Sequence, residues 1–242
     1  MEQIYTIPIN EAFEKGMEEG TCDCPICKLF DKMEKKEVEM ALGPAMMEPS
    51  NRMITNEKGF CHHHYKLLTE QSNSLSLALV LESHLATLKE KFDGNFVSNL
   101  FGGKYRNHQK AAQEKSEKCY ICEILDNHYN RITENTVFLY ATDSRFREKL
   151  RAQKYFCLPH YQMLMENAKK KLDKRKFSDF FDDISKVENT YFEKLIKDVS
   201  WYCKKFDYRY DSEPWYDSKD AVDRAIRFLT SGTSPDKKIT KG

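Results

Sequence analysis

Cys24-Pro-Ile-Cys27 is followed by Cys61-His-His-His64, and Cys119-Tyr-Ile-Cys122 is followed by Cys157-Leu-Pro-His160. Each stretch reads C-x2-C … C-x2-H, a run of thiolate and imidazole donors with metal-ligand spacing. Two thiolates two residues apart can turn back onto one ion, as in a zinc knuckle. A Cys and a His at i and i+3 share one face of a helix's first turn. Three sulfurs and one ring nitrogen complete a tetrahedral shell that suits Zn²⁺. Iron–sulfur clusters usually take four cysteines each. A c-type haem needs C-x-x-C-H, and Lys28 and Glu123 stand where that histidine would be. The expectation is therefore two zinc ions, ligated by Cys24, Cys27, Cys61, His64, Cys119, Cys122, Cys157 and His160. Their order along the chain leaves open whether the ligands pair within or across the two stretches.

Four protein donors fill zinc completely, whereas a catalytic zinc keeps a position for water or substrate. Both sites thus read as structural, and binding at such a site contributes on the order of 10 kcal/mol, comparable with a domain's net stability. Chelation is expected to unfold at least the local hairpins.

The two stretches are related by more than their ligands. The CxxC pairs lie 95 residues apart and the CxxH pairs 96. At the same offsets Ile26 meets Ile121, Asp31 meets Asp126, Phe60 meets Phe156, Tyr65 meets Tyr161, Leu68 meets Leu164 and Glu70 meets Glu166. Such self-similarity reads as an internal duplication. The corresponding domain scheme is a first zinc-binding half over 1–103, a second over 104–176, C-terminal helices over 177–230 packing on both, and a mobile tail over 231–242.

The elements that must position these ligands read as helices. Leu29, Phe30, Met33, Val38 and Leu42 recur at helical spacing after Cys27, and Gly43-Pro44 stops the pattern. A helix entered at Cys61 continues through Leu67-Leu68. Ser74 is a candidate cap for the next one, with Leu77, Leu81, Leu85 and Leu88 as its apolar set. Asp93-Gly94 ends it, and Gly102-Gly103 marks the join between halves. In the second half a helix follows Cys122 and breaks near Asp143. Val137-Phe138-Leu139-Tyr140 could pass for a strand but has no partner, so it reads as the end of that helix. Pro159 belongs in a helix's first turn, which puts Cys157 close to the N-cap. A long amphipathic segment runs from about Phe177 to Phe206, and Asp220 opens a last helix. The expected fold class is all-α: duplicated zinc-stapled helical hairpins plus C-terminal helices.

Composition supports this reading and closes others. With 242 residues, 40% of them hydrophobic, the chain can bury a real core. Its 39 basic and 38 acidic residues leave a formal net charge of +1, so no overall field advertises nucleic acid or an anionic membrane. The longest apolar run, around LSLALVL, is too short to span a bilayer. MEQIYTIPIN has neither a cationic start nor a long apolar segment. The expected compartment is the cytoplasm, where thiols stay reduced.

Other residues were weighed for chemistry. Cys22 flanks the first set and reads as incidental rather than as a ligand, and Cys203 as a small buried hydrophobe. His62 and His63 have Leu158 and Pro159 as counterparts in the second copy, so solvent exposure is the expected role. Glu82 and His84, two apart, point to different helix faces. No His-Glu-x-x-His or Glu-x-x-His pair exists, and Gly102-Gly103-Lys104 lacks the other residues of a phosphate loop. The block Lys169, Lys170, Lys171, Lys174, Arg175 and Lys176 reads as a solvated helix end and turn. Seven aromatics between Trp201 and Tyr216 read as a cover for the helical core, with a ligand pocket or partner surface as the other option.

Several motifs resemble a bacterial family of unknown function: IYTIPINEAF, CPIC, ALGP at Ala41–Pro44, GFC at Gly59–Cys61 with His64, and the second CxxC…CxxH set. The closing FDYRY, EPW and RAIRFL runs are similar as well. The resemblance covers nearly the whole chain and implies a zinc-binding bacterial protein without a transferable reaction. The reading that follows is a non-enzymatic zinc-binding helical protein acting by binding another protein or a small ligand. The alternatives are a nucleic-acid-associated regulator, which the balanced charge does not favour, and a thiol redox sensor that ejects zinc on oxidation.

Overall fold

Helix-forming periodicity and capping residues account for nearly every element. The computed structural model describes residues 5–17, 24–93 and 104–231. Cys22, Gly94, Gly102, Gly103 and the tail beyond Ser231 lie outside the described residues. Among those described, the elements in order are α1 (Thr6–Gly16), α2 (Pro25–Leu42), α3 (Pro44–Met47), α4 (Pro49–Lys58), α5 (His62–Thr69) and α6 (Ser74–Asp93). There follow α7 (Lys104–Glu117), α8 (Tyr120–Thr142), α9 (Ser144–Arg151), α10 (Leu158–Lys171), α11 (Lys174–Lys204) and α12 (Ala221–Thr230), with two 3-10 turns before α12. No strand occurs among the described residues, and Val137–Tyr140 lies inside α8 as expected. None of the described helices is long and apolar enough to cross a membrane.

The caps are local and chemical. Asp143 accepts from the amides of Arg145 and Phe146 at the start of α9, and Asp173 accepts from Lys176 N at the start of α11. Ahead of α6 the cap is Asn73 rather than Ser74: its Oδ1 accepts from Ser76 N at 3.2 Å, while Ser74 is already helical. A side-chain amide one residue earlier outcompeted the hydroxyl.

The chain divides into two compact units, one joining the residues up to Asp31 with those from Tyr129 onward, the other running Lys32–His128. This division crosses the sequence halves rather than following them. In the first unit Phe13 of α1 packs against Phe146 of α9 at 4.8 Å between ring centroids, and against Phe156 at 6.0 Å. Buried Gln153 ties the same layer, donating to Phe13 O and Lys149 O at 2.8 Å. The long α11 supplies Phe180, Ile184, Val187 and Leu195 to this core. Phe180 meets Tyr140 edge-on at 4.9 Å, and Tyr140 donates to Asp183 at 2.6 Å. Phe228 of α12 closes over Tyr155 and Tyr191, which stack 4.2 Å apart.

In the second unit α4 and α6 are cross-braced by polar contacts to backbone. Arg52 donates to Leu79 O and to Ser83 Oγ, and His84 Nδ1 lies 2.7 Å from Asn56 O. Asn73 Nδ2 donates to Leu42 O, fixing the end of α2. These part-buried contacts pair polar groups that lose free energy when left unsatisfied away from water.

Candidate metal centres

All four ligand pairs adopt one local structure. Cys24, Cys61, Cys119 and Cys157 each immediately precede a helix, and each carbonyl accepts the first intrahelical bond: from Lys28 N, Tyr65 N, Glu123 N and Tyr161 N at 2.9–3.2 Å. Cys61 and Cys157 have extended cap backbones, with φ/ψ of −73°/169° and −62°/149°. The partner three residues on, Cys27, His64, Cys122 or His160, projects from the first turn on the same side. The CxxC pairs are therefore not turn-type knuckles; they use the helix start that spacing suggested only for CxxH. Pro159 sits in the first turn of α10, where no amide donor is lost. Eight ligands at four helix N-termini place thiolate charge where the helix dipole is positive.

The pairing crosses between the two C-x2-C … C-x2-H stretches. Cys24 and Cys27 meet Cys157 and His160, while Cys119 and Cys122 meet Cys61 and His64; in each group the ligand atoms lie within 4.8 Å of one another. Neither sequence half closes a site by itself. All eight expected residues are brought together, and each group can hold a metal ion.

The first centre lies in the unit made of the residues up to Asp31 and those from Tyr129 onward. Its Nδ1 atom, on His160, is 3.6 Å from Cys24 Sγ, 3.4 Å from Cys27 Sγ and 3.0 Å from Cys157 Sγ, and the Cys27 and Cys157 sulfurs are 3.6 Å apart. All four residues are buried, the most accessible being Cys27 at 4%. The other ring nitrogen of His160 lies 3.0 Å from the Tyr129 hydroxyl, and Tyr129 stacks on Phe30 at 4.1 Å. A metal ion on Nδ1 would leave the ring proton on Nε2, facing the phenol oxygen.

The second centre lies in the other unit. His64 Nδ1 is 3.2 Å from Cys61 Sγ, 3.3 Å from Cys119 Sγ and 3.4 Å from Cys122 Sγ, with Cys61 and Cys122 3.8 Å apart. Cys61 and Cys122 are half-buried, and only Cys119 and His64 are buried. Tyr120 N donates to Gly59 O at 2.9 Å and Lys58 pairs with Glu123 at 2.5 Å, which seats the start of α8 against the turn entering α5. Gly59 has φ of 60°, a conformation that suits glycine in this turn. Here the outer partner of the histidine is a carboxylate: His64 Nε2 lies 3.2 Å from Glu34 Oε1.

Charge is distributed alike in both. Burial pushes the Cys24 thiol up, but hydrogen bonds from Cys157 and Cys27 and the nearby His160 hold it well below its ordinary value. Cys157 is pushed up by its hydrogen bond to Cys24. Hydrogen bonds from Cys119 and Cys122 hold Cys61 low, and Cys122 is pushed up by Cys119 and Cys61. Burial opposes protonation of His64, yet hydrogen bonds with Cys119, Cys61 and Glu34 raise it to about 11. Each cluster thus concentrates negative charge on one sulfur and stores protons on its neighbours, which a cation would displace.

Several expectations are corrected. His62 is exposed as anticipated, but His63 is half-buried, with Nε2 3.3 Å from Glu34 Oε1. Cys203 is exposed rather than buried, because the inward stripe of α11 ends at Leu195. The aromatic run is covered only in part: Trp201, Tyr202, Tyr210 and Trp215 are half-buried, while Phe206, Tyr208 and Tyr216 are among the most exposed large side chains. Lys205 holds the loop that carries them, donating to the carbonyls of Tyr210, Asp211 and Glu213 at 2.6–3.1 Å. The lysine-rich block is exposed throughout, split between the end of α10 and the start of α11.

Glu34 and Tyr129 were not legible as partners of the histidines. The signal was present, since they occupy equivalent positions 95 residues apart, but their side chains share no chemistry that would mark them.

No curated protein and no solved structure matches this chain. One family model, described as a family of unknown function, matches residues 1–236, and the chain belongs to that family, DUF6062.

Proposed function

We propose that this protein is a zinc-stabilised helical scaffold whose two metal centres are structural, and that it acts by binding rather than by catalysis. The carrying observation is the buried Cys24–Cys27–Cys157–His160 cluster. A tetrahedral zinc with Zn–S near 2.3 Å and Zn–N near 2.0 Å has S···S edges of about 3.8 Å and S···N edges of about 3.5 Å. The sulfur–sulfur separations of 3.6 and 3.8 Å and the sulfur–nitrogen separations of 3.0–3.6 Å fall close to those edges. Four donors supplied by the protein complete such a shell, which suits a structural role.

Two surfaces of the unit that holds α1 and α9–α12 support a binding role. A cleft of about 900 Å³ is lined by Arg151, Lys186, Tyr191, Lys194, Asp217 and Arg224, a mixture of aromatic face and charge suited to a small polar ligand. The exposed Phe206, Tyr208 and Tyr216, on a loop pinned by Lys205, suit a protein partner.

The test is metal analysis of protein purified without added metal, followed by cobalt substitution. Two zinc ions per chain, and cobalt spectra with intense thiolate charge-transfer bands and tetrahedral ligand-field bands, are expected. Chain that is folded and metal-free, or cobalt spectra lacking those thiolate bands, would contradict the reading.

A further inference from the structure

Glu34, His63 and His64 form a third group of close ligand atoms, beside the second centre and distinct from its sulfurs. The Nε2 atoms of His63 and His64 lie 3.3 and 3.2 Å from the same carboxylate oxygen, Glu34 Oε1. Those separations are long for N–H···O hydrogen bonds, whose mode is about 2.9–3.0 Å. They match the edge of a tetrahedron whose centre lies about 2.0–2.1 Å from each nitrogen and oxygen, roughly 3.3 Å. Glu34 is only 9% exposed, and a buried carboxylate beside two imidazoles is the donor chemistry that a divalent cation of the zinc class takes. His63 is half-buried, which leaves an approach from solvent.

The first centre isolates what is special here. At the duplication offsets, Glu34 becomes Tyr129 and His63 becomes Pro159, so the same outer position beside His160 offers a phenol and no second imidazole. Only one copy carries the carboxylate and the extra histidine.

We infer that Glu34, His63 and His64 bind a third divalent cation of the zinc class, with His64 bridging it to the ion of the Cys61–Cys119–Cys122 centre. The inference rests on the reading of that centre as a metal site. His64 then ligates through both nitrogens as an imidazolate; the proton leaving Nε2 passes to solvent as the cation enters. Two imidazole nitrogens and one carboxylate leave a position for water or a small anion, unlike the closed sulfur sites. The third ion is therefore the exchangeable one.

The experiment titrates the full-length chain with cobalt and with zinc, reading bound metal per chain and the visible spectrum. Wild type is expected to take three ions, two of them producing thiolate charge-transfer bands and the third adding none. His63→Ala, a change at a half-buried residue outside both sulfur shells, is expected to weaken the third ion about tenfold or more while keeping the thiolate bands, by analogy with the loss of a supporting metal partner. Glu34→Gln is expected to weaken the third ion as well, and in addition the sulfur centre whose His64 it backs, so His63→Ala is the variant that isolates the third site; unchanged circular dichroism confirms that both variants fold. Saturation at two ions with both thiolate signatures intact would overturn the third site alone. Full occupancy by three ions in both variants would also overturn it. Absence of thiolate bands from the wild type would overturn this inference together with the reading it rests on.

Discussion

The two sulfur centres share a ligand set and a local backbone, yet they differ in everything around them. The Cys24–Cys27–Cys157–His160 centre is buried and backed by Tyr129, which is stacked on Phe30. The Cys61–His64–Cys119–Cys122 centre has two half-buried sulfurs and is backed by Glu34, which also faces His63. Identical motifs therefore do not imply identical roles. Exposure governs how readily chelators and oxidants reach a thiolate, and the outer partner tunes how strongly the imidazole binds. The first centre reads as a permanent staple, the second as the place where metal exchanges.

The largest expected effect comes from breaking the buried centre. Cys157→Ser removes a sulfur among fully buried neighbours, and loss of the ion forfeits on the order of 10 kcal/mol, as much as a domain's whole stability. Circular dichroism and zinc analysis should find the unit that holds α1 and α9–α12 unfolded and its ion gone. In Cys61→Ser water can reach the altered position, and the same unit should keep its ion and its cooperative unfolding. Equal collapse in both variants would erase the distinction between the centres.

Metal release gives the next largest contrast. With excess chelator and a colorimetric indicator, chain carrying only its two sulfur-bound ions should release zinc in two phases of equal amplitude, the faster coming from the half-exposed centre. A rate ratio of about tenfold or more is expected from the difference in access. Cys61→Ser should abolish the fast phase and spare the slow one; a single phase in the wild type would argue for equivalent centres.

Replacing the outer partners sharpens the comparison further. Glu34→Gln removes a charged partner of His64 and should lower metal affinity at that centre by about 10–100-fold. Tyr129→Phe removes a neutral partner and should cost the buried centre less. Competition titrations against a chelator of known affinity measure both.

The smallest effect concerns Glu188 of α11, beside the buried centre. Its Oε1 accepts from Phe156 N at 2.8 Å, and its Oε2 is buried with no hydrogen-bond partner. Burial raises its carboxyl to about 8, against the opposing Phe156 bond. A carboxyl raised on folding stabilises the native state fully below its unfolded value, and that contribution is lost as pH rises toward 8. Relative to Glu188→Gln, which stays neutral, the wild type should lose stability progressively between about pH 4.5 and 8, on the order of a few kcal/mol. Parallel melting-temperature profiles across that range would contradict the assignment.

The helical architecture was legible because its signals are local: the spacing of Leu29, Phe30, Met33 and Val38, the Gly43-Pro44 stop, and Pro159 in a first turn. The eight ligands were legible for the same reason. Their pairing was not, because C-x2-C … C-x2-H twice over has one sequence order whether each half closes on itself or exchanges partners. That choice is made by packing: by Phe13 against Phe156 beside Cys157, and by Tyr120 N on Gly59 O beside Cys119. The outer partners escaped notice because Glu34 and Tyr129 sit two helical turns beyond CxxC motifs whose sulfurs serve other histidines. The pairing of His63 with Pro159 in the two stretches suggests solvent exposure, yet His63 is half-buried against Glu34, and that divergence marks what distinguishes the second centre. Hydrophobicity alone points Cys203 and the Trp201–Tyr216 aromatics toward the core, but the buried stripe of α11 ends at Leu195 and leaves Cys203, Phe206, Tyr208 and Tyr216 exposed.

Exchange of partners between the duplicated motifs is the central claim, and cadmium-113 NMR tests it most directly. In cadmium-substituted protein, through-bond couplings from each metal resonance identify its own cysteine and histidine protons. One resonance should couple to Cys24, Cys27, Cys157 and His160, the other to Cys61, His64, Cys119 and Cys122. Couplings that join Cys24 and Cys27 to Cys61 and His64 would contradict the account.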